Sequence, residues 1–379
     1  MRIAILRKKY TFHGGAESFS SSFIEKLADD GHELHIFAIN WQAAGPHKNI
    51  HFHSVPAVTI NSFFRDLSFA FFSFFLLKKQ RNRFDIIQTH DKTLYQDIYR
   101  AGDGCHIEWL KQRWKRTGFW GKLSMVFNPY HWLILCLEHS IFKRHRYKRI
   151  IAISNMVKKN IIENYGVSPD DIDVIYNGVD IEKFHPGNRE RYRRETRQQY
   201  GLTDTDFVVF FMGSGFERKG VKYLIKAVES ITEPVALMIV GKGSGKKFKN
   251  SGRQKIIFCG PRKDNYKYYA AADIFVFPTI YEPFGNVHLE ALASGLPVIT
   301  TRNSGAAEVI KNDLHGFVIE EPEDFVAIAE KIRFFLYNRD KVDFMGKNAR
   351  LLAEEFTFEK HIGKIRALYE KVMCNKTNN

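Results

Sequence analysis

The sequence predicts two α/β domains, each a parallel β-sheet with helices on its faces. Its 379 residues are enough for two or three domains. An apolar strand, a glycine turn, an amphipathic helix and a second strand follow one another within the first forty residues. A similar strand–loop–helix pattern starts again near residue 207, which predicts a second domain of the same class.

The first unit of this pattern begins with an apolar strand at 3–6 and a turn at His13-Gly14-Gly15. Apolar residues then recur at intervals of three and four, as on one face of a helix: Ala16, Phe19, Phe23 and Leu27. Gly31 ends this helix, and residues 33–39 alternate like a second strand. This order predicts strands that lie parallel, joined by a helix.

The second half begins with an apolar strand at 207–212, a glycine-containing loop at 213–220 and a helix from Val221. Further strands are predicted at 235–240, 256–259, 274–277 and 298–301. The turn residues at 176–180 mark the break between the halves. We therefore predict domains at 1–178 and 179–356, and a closing helical segment at 357–379 that returns to the first domain.

The composition is that of a folded protein, with 44% hydrophobic and 26% charged residues, which excludes a disordered, collagenous or disulfide-scaffold chain. The formal net charge is +15, which indicates an anionic partner: a nucleic acid, a membrane surface or a phosphorylated substrate. Four scattered cysteines predict a reducing compartment and argue against a structural zinc site. Met1 leads directly into a strand pattern, and the longest apolar run is too short for a membrane span, so we expect neither a signal peptide nor a transmembrane segment.

Two loops carry features that suit a phosphate. Gly14 and Gly15 lie between a strand and a helix, where backbone N–H groups can approach an anion, although such a turn can also be purely structural. Arg218 and Lys219 precede a helix, where cations are unfavourable by about 0.3–1 kcal/mol unless an anion binds. The alternative is that both are solvated surface cations. Neither a GxGxxG nor a P-loop pattern is present at these loops.

A third loop, 281–292, runs from a strand end into a helix and carries two carboxylates with seven residues between them. Glu282 lies in the loop and Glu290 in the helix, and the backbone of 285–287 lies at the helix N-terminus between them. One carboxylate can bind sugar hydroxyls and the other a ribose, while the amides face a phosphate. This arrangement suits a nucleotide sugar; the alternative is an ordinary helix start.

Together these motifs resemble the retaining glycosyltransferases of family 4, which have the GT-B architecture of two Rossmann-like domains facing across a cleft. The resemblance covers nearly the whole chain. It rests on the following segments: Gly14-Gly15-Ala16-Glu17, Gly31-His32-Glu33-Leu34, Asn177-Gly178-Val179-Asp180, Arg218-Lys219-Gly220, the Glu282/Glu290 pair, Gly295-Leu296-Pro297-Val298-Ile299 and Gly305-Ala306-Ala307-Glu308. Within the family the chain is most similar to lipopolysaccharide core glucosyltransferases.

The resemblance implies a role for each motif residue. Arg218 and Lys219 would neutralise the donor diphosphate, Gly15 would lie against it, and Glu290 would hold the ribose. Arg262 lies where the family's base pocket is lined. Glu282 would hold the sugar together with the backbone of Phe284, Gly285, Asn286 and Val287. Such enzymes need no cofactor and no metal, and the chain has no Asp-x-Asp triplet.

One position departs from the common family pattern. Many members have a histidine near the reacting carbon, whereas the segment 96–105 resembles the core glucosyltransferases, which have an aspartate there. We assign this catalytic role to Asp103, with Asp97 and His90 as the other candidates and a simple turn residue as the alternative. The implied mechanism retains the anomeric configuration: the acceptor attacks from the face that the diphosphate leaves, and the departing phosphate takes the acceptor's proton.

Much of the positive charge lies in 100–149, which has eleven basic residues against three acidic ones, interleaved with tryptophan and phenylalanine. This mixture suits an anionic membrane surface, although single-stranded nucleic acid or a helical region with a buried aromatic face would also account for it. A second aromatic cluster, at 63–75, predicts a buried helix or, as the alternative, a second membrane contact. Core packing is favoured.

We therefore expect a retaining, metal-independent enzyme that moves glucose from UDP-glucose onto a lipopolysaccharide core heptose or similar glycolipid. It would act in the cytoplasm, on the inner face of the cytoplasmic membrane. One alternative keeps the mechanism and changes the donor to a UDP-N-acetylhexosamine, UDP-galactose or GDP-mannose. Another is a non-catalytic, basic nucleic-acid-binding protein, although no nucleic-acid recognition motif is present. Nothing in the sequence indicates an oligomeric state.

Overall fold

A computed structural model of the chain describes residues 1–10, 23–41, 47–245 and 252–377. The chain divides into two compact units, each containing a parallel β-sheet of six or seven strands. The first unit contains Met1–Tyr176 and His361–Asn379, and the second unit contains Asn177–Lys360. The α/β fold class with two parallel sheets is confirmed.

The first unit is built on a seven-stranded sheet. The strands of this unit are β1 (Arg2–Leu6), β2 (Lys9–Tyr10), β3 (Glu33–Ala38), β4 (Asn40–Trp41), β5 (Ile50–Ser54), β6 (Ile86–Thr89), β7 (Ile98–Ala101), β8 (Arg149–Ala152) and β9 (Ile172–Val174). The order in the main sheet is β5-β3-β1-β6-β7-β8-β9, and β2 pairs separately with β4. The chain therefore builds outward from β1 in one direction and then from β6 in the other, as in a doubly wound sheet.

The second unit repeats this plan with six strands. They are β10 (Val208–Met212), β11 (Ala236–Val240), β12 (Lys255–Gly260), β13 (Ile274–Phe277), β14 (Val298–Thr301) and β15 (Gly316–Ile319). Their order is β12-β11-β10-β13-β14-β15, with every pair parallel. The direction of winding reverses between β10 and β13, and sheets of this kind bind ligands at the carboxyl ends of the strands beside such a reversal.

The helices cover the faces of the two sheets. In the first unit they are α1 (described at 23–29), α2 (Ser62–Lys79), α3 (His106–Lys115), α4 (Phe119–Val126), α5 (Pro129–Phe142) and α6 (Asn155–Tyr165). In the second they are α7 (Asn188–Gln199), α8 (Val221–Glu229), α9 (Asn265–Ala271), α10 (Asn286–Ala293), α11 (Phe325–Tyr337) and α12 (Arg339–Ala353). The last helix is α13 (Phe358–Thr377), and from His361 onward it belongs to the first unit.

Strand β1 shows how alternation along a strand builds both layers of the first unit. Ile3 and Ile5 are buried in a core that also contains residues of α1 and α13, among them Ile365. Ala4 and Leu6 point to the opposite face, into a core shared with α2. The closing helix is thus one of the layers of the first unit's sheet.

Helix α2 carries the aromatic cluster for which core packing was the favoured interpretation, and that interpretation is wrong for most of its phenylalanines. Only Phe69 is fully buried. Four others are exposed: Phe64, Phe71, Phe72 and Phe75. The cluster is wider than one helical stripe, so a single helix cannot direct all of these rings toward its sheet.

The second unit is held at the amino end of β13 by a buried carboxylate, Asp273. Its Oδ1 accepts a hydrogen bond from Arg193 at 2.7 Å, and its Oδ2 accepts from Arg197 at 2.9 Å and from the backbone N–H of Val208 at 2.7 Å. Burial alone would raise the pKa of Asp273, but the two arginines outweigh burial and lower it. This contact joins α7, β10 and β13.

Among the described residues, no helix combines the length and the apolar character that crossing the hydrocarbon core of a bilayer requires.

Candidate functional site

The second unit brings two loops together at the point where its winding reverses. The loop 213–220 follows β10 and the loop 278–285 follows β13, and these two strands are neighbours in the sheet. Gly220 has a φ of +72°, and a side chain there would collide with the carbonyl of Pro278. The N–H of Ile280 donates to the carbonyl of Arg218 at 2.9 Å. The two loops therefore pack directly on each other.

This packing places two predicted cations beside a predicted carboxylate. Arg218 Nη1 donates to the carbonyl of Tyr281 at 2.8 Å and lies 3.3 Å from Glu282 Oε2. Lys219 Nζ lies 3.7 Å from the same oxygen and 5.2 Å from the centre of the Phe277 ring. Burial lowers the pKa of Lys219, against the opposing effect of Glu282, and Arg218 lowers it further.

The backbone of the Glu282 loop is fixed on its other side by the segment after β14. The N–H of Glu282 donates to Asn303 at 3.0 Å, and its carbonyl accepts from Gly305 at 2.9 Å. Ser304 Oγ donates to the carbonyl of Phe284 at 3.2 Å, and Phe284 is fully buried. Glu282 is thus held by loops from three adjacent strands.

The start of α10 is shaped by Gly285 and His288. Gly285 has a φ of +81°, and a Cβ at this position would lie 2.7 Å from His288 Nδ1. His288 Nδ1 donates to the carbonyl of Gly285 at 2.9 Å, and Nε2 lies 2.8 Å from Thr300 Oγ1. Burial lowers the pKa of His288 to about 4, so the ring is neutral at pH 7.

Glu290 lies one turn further along α10 and is buried. Its Oε2 accepts hydrogen bonds from the Tyr269 hydroxyl at 2.9 Å and from Asn265 Nδ2 at 3.1 Å. Burial raises the pKa of Glu290, although these two donors, with Lys183 and Lys219, oppose the rise. The carboxylate is therefore held in one orientation by two residues of α9.

The remaining predicted residues of the second unit lie around the same helices. Asn286 Oδ1 accepts from Asn177 Nδ2 at 2.6 Å, and the carbonyl of Val287 accepts from Tyr269 at 3.2 Å. Arg262 follows β12 and is exposed; its Nη2 donates to the Tyr200 hydroxyl at 3.0 Å. Its guanidinium also lies 6.0 Å from the centre of the ring of Tyr268, which neighbours Tyr269 on α9.

In the first unit, Asp103 is exposed in the turn that follows β7. It lies at the carboxyl end of a parallel strand, within electrostatic range of Arg100 and Lys92. Arg100 is buried, and burial together with Arg7 lowers its pKa to about 10. Asp103 is therefore a turn residue in a strongly basic environment.

The two other candidates for the role of Asp103 are buried. Asp97 accepts a hydrogen bond from the N–H of Ile87 at 2.9 Å and pairs with Arg81 at 3.0 Å, so it fixes the start of β7. His90 Nε2 lies 2.7 Å from Gln88 Nε2. Burial, followed by the charges of Arg100 and Arg7, lowers the pKa of His90, which favours the neutral ring. The predicted residues Gly14 and Gly15 lie outside the described residues.

Sequence reasoning missed two residues that shape the second unit's site, Tyr269 and His288. His288 stands three residues after Gly285, within the recognised motif, so this spacing was a usable signal. Tyr269 reaches Glu290 from another helix, and no local pattern in the sequence indicates that contact.

Comparison with known proteins gives the family. Residues 13–183 match the family described as Glycosyltransferase Family 4, and residues 192–352 match the one described as Glycosyl transferases group 1. The chain belongs to the GT-B glycosyltransferases. It is therefore an enzyme, and the alternative of a non-catalytic, nucleic-acid-binding protein is wrong.

Individual relatives agree with this assignment. The chain is 25% identical over 367 residues to the lipopolysaccharide glucosyltransferase WaaG of Escherichia coli, covering 93% of this chain and 94% of WaaG. A crystal structure of WaaG matches with a TM-score of 0.79 and 25% identity over 98% of each chain. An Escherichia coli enzyme named UDP-Gal:alpha-D-GlcNAc-diphosphoundecaprenol alpha-1,3-galactosyltransferase is 29% identical, covering 85% of this chain and 84% of that enzyme.

A third similarity is to the fold alone. A crystal structure of HepE from Anabaena in complex with UDP and glucose matches with a TM-score of 0.73 and 19% identity, over 98% of this chain and 99% of that chain.

Proposed function

We propose that this glycosyltransferase transfers a hexose, with glucose the first choice, from a UDP-sugar to a lipopolysaccharide core heptose or similar glycolipid, with retention and without a metal. The observation that carries the proposal is the convergence of Arg218, Lys219 and Glu282 on the carboxyl ends of β10 and β13. This is the edge at which doubly wound sheets bind nucleotides.

The two cations would bind the donor diphosphate. Lys219 is partly buried against the Phe277 ring and lies beside Arg218, so it is held as a charged group at a desolvation cost. A diphosphate would offset that cost and would draw both cations away from Glu282. Cations placed where negative charge grows on the leaving group would stabilise the transition state, as a metal ion does in other transferases.

The two carboxylates would then have separate tasks. Glu282, released from its ion pairs, would accept hydrogen bonds from hydroxyls of the transferred sugar, next to the backbone of Phe284, Gly285, Asn286 and Val287. Glu290 would accept hydrogen bonds from the ribose hydroxyls at Oε1, because Tyr269 and Asn265 both donate to Oε2. Holding Oε2 from two directions orients Oε1 before the nucleotide binds.

Four further residues complete the proposed substrate contacts. Arg262 would lie beside the base, together with the tyrosines that it contacts, and Gly14 and Gly15 would lie against the diphosphate. In the first unit, which would take the acceptor, Asp103 would stand near the reacting carbon. The basic surroundings of Asp103, with Arg7 and Arg100, favour an acceptor that carries phosphate or carboxylate groups.

The proposed reaction needs no nucleophile from the protein. The acceptor hydroxyl forms a bond to the anomeric carbon on the face from which the bond to the diphosphate oxygen breaks, and the released phosphate takes the hydroxyl's proton. The sugar thus keeps its anomeric configuration. The chain's residues act by positioning the two substrates and by stabilising charge on the phosphate.

The choice of donor rests on the named relatives. WaaG is a glucosyltransferase, HepE is seen with UDP and glucose, and the galactosyltransferase uses UDP-Gal by its name. UDP is common to the last two. UDP-galactose, a UDP-N-acetylhexosamine and GDP-mannose remain the alternatives, since Glu282 can accept bonds from hydroxyls of several sugars.

We also propose that the region 100–149 binds the cytoplasmic face of an anionic membrane, which would bring the enzyme to a glycolipid. Helices α3, α4 and α5 and the short connections between them carry seven large hydrophobic side chains that are exposed: Trp114, Phe119, Trp120, Leu123, Val126, Phe127 and Trp132. Basic residues lie among them, including Lys111, Lys115 and Lys122. Exposed aromatics with cations are typical of an interfacial surface.

Helix α2 extends this proposal. It packs on α5 through Ala70, Ile134 and Leu137, and Tyr130 donates to Asp66 at 3.2 Å. The exposed phenylalanines of α2 therefore belong to a helix directly attached to the region 100–149. The burial pattern of α2 thus favours the second membrane contact over core packing.

A transfer assay tests the enzymatic proposal. The full chain is incubated in EDTA with a heptose-containing core acceptor and, in separate reactions, UDP-glucose, UDP-galactose, UDP-N-acetylglucosamine and GDP-mannose. We expect fastest transfer from UDP-glucose and an α-linked product by proton NMR. Asp103→Asn should slow transfer at least tenfold, whereas Asp170→Asn, an exposed carboxylate of the first unit, should not. A β-linked product, or transfer only after Mg²⁺ is added, would overturn the mechanism.

Vesicle sedimentation tests the membrane proposal separately. We expect binding to vesicles that contain phosphatidylglycerol, weaker binding to pure phosphatidylcholine, and release by salt. Trp120→Ser with Phe127→Ser should reduce binding, and Leu351→Ser, an exposed apolar residue of the second unit, should not. Equal binding to both vesicle types would contradict an electrostatic surface.

A further inference from the structure

Four polar side chains share one face of two neighbouring strands at the edge of the first unit's sheet. Glu33 and His35 lie on β3, and His51 and His53 lie on β5, the outermost strand. The parallel register pairs His35 directly with His51. Since side chains two residues apart on a strand point to the same side, all four project from the same face.

The apolar neighbours identify this face. His35 lies edge-on to the Phe84 ring at 5.1 Å between centres, and His53 stacks on Phe37 at 4.6 Å. Phe37 and Phe84 belong to the core shared with α2. The four polar residues thus lie at the outer edge of the core shared with α2. Strands of a parallel sheet ordinarily carry apolar side chains at such positions.

Three of the side chains present their ligand atoms at one point. Glu33 Oε1 lies 3.1 Å from His35 Nε2 and 3.6 Å from His51 Nε2. One ligand atom from each of the three residues lies within 4.8 Å of the other two. In a tetrahedral zinc site, ligands about 2.0–2.2 Å from the metal lie roughly 3.3–3.5 Å from one another. The two separations from Glu33 are close to this spacing, and the third lies within 4.8 Å.

From this geometry we infer that Glu33, His35 and His51 form a binding site for a first-row transition metal, with Zn²⁺ the preferred ion. Two imidazoles and a carboxylate are ligands that zinc accepts and that magnesium and calcium disfavour. Glu33 and His51 are partly or fully exposed, so water has access to a fourth ligand position.

His53 completes the arrangement as a positioning residue. Its Nε2 lies 2.8 Å from His35 Nδ1, the nitrogen that faces away from the proposed metal. A hydrogen bond from His35 Nδ1–H to His53 leaves the lone pair of His35 Nε2 directed at the metal. Residues that fix the second nitrogen of a ligating histidine in this way tune metal affinity by about 10–100-fold.

The surrounding charges act in opposite directions. His35 and His53 both lie within electrostatic range of Arg83. Arg83 opposes a divalent cation, and the carboxylate of Glu33 offsets this.

The position of the site indicates a structural purpose. Glu33 and His35 lie in the first half of β3, away from the carboxyl ends of β1, β6 and β7, where Asp103 and its basic neighbours lie. A metal here would clamp the outermost strand β5 to β3. The scattered cysteines argued against a structural zinc site. The site proposed here needs no thiol, because its ligands are the histidines of β3 and β5 and Glu33. The inference is independent of the proposed donor and acceptor.

Zinc titration of the full chain, without an affinity tag and after removal of metal with a chelator, tests this inference. Thiols also bind zinc, so the exposed Cys136 and Cys374 are replaced by serine in every sample. We expect one Zn²⁺ per chain, no competition from Mg²⁺, intense visible absorption from Co²⁺ in tetrahedral coordination, and a rise in Tm of about 5 °C at zinc a hundredfold above Kd.

Variants locate the site. His51→Ala, at an exposed position, and Glu33→Gln should each weaken zinc binding at least tenfold, and His53→Gln should weaken it less. His47→Ala is the matched control, because His47 lies in the same unit beside Asp29 and outside the cluster. Binding of less than one Zn²⁺ per wild-type chain, or equal zinc affinity in His51→Ala and His47→Ala, would contradict the proposed site. Zinc should leave the rate of sugar transfer unchanged.

Discussion

Strand β13 has a buried carboxylate just beyond each end, and the two differ in how they are bonded. Asp273 precedes the strand and accepts three short hydrogen bonds, from two arginines and a backbone N–H. Glu282 follows the strand by a few residues, and its two ion pairs are longer, at 3.3 and 3.7 Å. Asp273 lies within 4.0 Å of four arginines, whereas Glu282 pairs with one arginine and one lysine.

The comparison separates a structural ion cluster from a ligand site of similar composition. The hydrogen-bond donors to Asp273 come from α7 and β10 and enclose its carboxylate. These bonds therefore hold α7, β10 and β13 together. The partners of Glu282 come from one loop at the carboxyl edge of the sheet, and their long contacts can be exchanged for a ligand. In a doubly wound sheet these two ends have different uses, since ligands bind at the carboxyl ends.

The largest expected effect is on stability, from Asp273→Asn. Neutralising this side chain leaves the buried Arg197 and the partly buried Arg193 without their anion, which should cost about 3–5 kcal/mol in the free energy of unfolding. Urea denaturation of the full chain, followed at two wavelengths, measures this loss. The KM of the folded fraction should not change.

The control for this variant is Glu320→Gln, which removes an exposed carboxylate paired with Arg302 and should leave stability almost unchanged, because solvent screens exposed ion pairs. Equal losses in the two variants would contradict the role given to Asp273.

The second effect is on catalysis, from Glu282→Gln. The variant loses the hydrogen bonds that the sugar hydroxyls donate to the charged carboxylate. This loss should reduce kcat/KM roughly a hundredfold, about 2.7 kcal/mol, with little change in Tm. Since Glu282 competes with the diphosphate for Arg218 and Lys219, UDP itself should bind this variant as tightly as wild type or more tightly. Weaker UDP binding would show that Glu282 only orders the loop.

The third effect is on the pH dependence of stability. The pKa of His288 is lowered to about 4 in the folded chain, below the value of about 6.5 in the unfolded chain. The unfolded state therefore binds more protons between these values, and stability contributed by the neutral ring is lost as pH falls from 6.5 toward 4. At pH 5 the loss should be about 2 kcal/mol.

Urea midpoints of wild type and His288→Gln at pH 7 and pH 5 check this. The difference between the two pH values should be smaller in the variant. An unchanged difference would assign the acid sensitivity to other groups, such as the buried His361, whose pKa is lowered to about 3 by burial and Arg100.

The smallest effect concerns the orientation of Glu290. Tyr269→Phe removes one hydrogen bond to Oε2 and should weaken UDP binding by about 1 kcal/mol, or about fivefold. Tyr266→Phe, one turn away on α9, is the control. Binding of a UDP analogue without ribose hydroxyls should not distinguish Tyr269→Phe from wild type; if it does, Glu290 has another role.

The sequence predicted those features that local patterns determine. Strand periodicity located the core of both sheets, and the motif around Glu282 and Glu290 located a loop that the structure packs against Arg218 and Lys219. Contacts between distant segments were not predictable in this way. Arg193 and Asp273 are eighty residues apart, and the alternating histidines of β3 and β5 gain meaning only when the two strands pair.

Side-chain exposure was the other limit. The dense phenylalanines of α2 indicated a buried helix because apolar residues usually lie inside, but exposure depends on which neighbour covers each face. Only the face toward the sheet and α5 is covered by the described residues, and this left Phe71 and Phe75 on the surface.

Calorimetric titration with UDP in the presence of EDTA tests the central claim, that the exchangeable ion cluster after β13 is the donor site. Wild type should bind one UDP per chain with a saturable heat signal. Lys219→Ala should bind at least tenfold more weakly, whereas Lys222→Ala, which replaces an exposed lysine at the second position of α8, should match wild type. Absence of metal-free binding, or equal affinity in wild type and Lys219→Ala, would contradict the account.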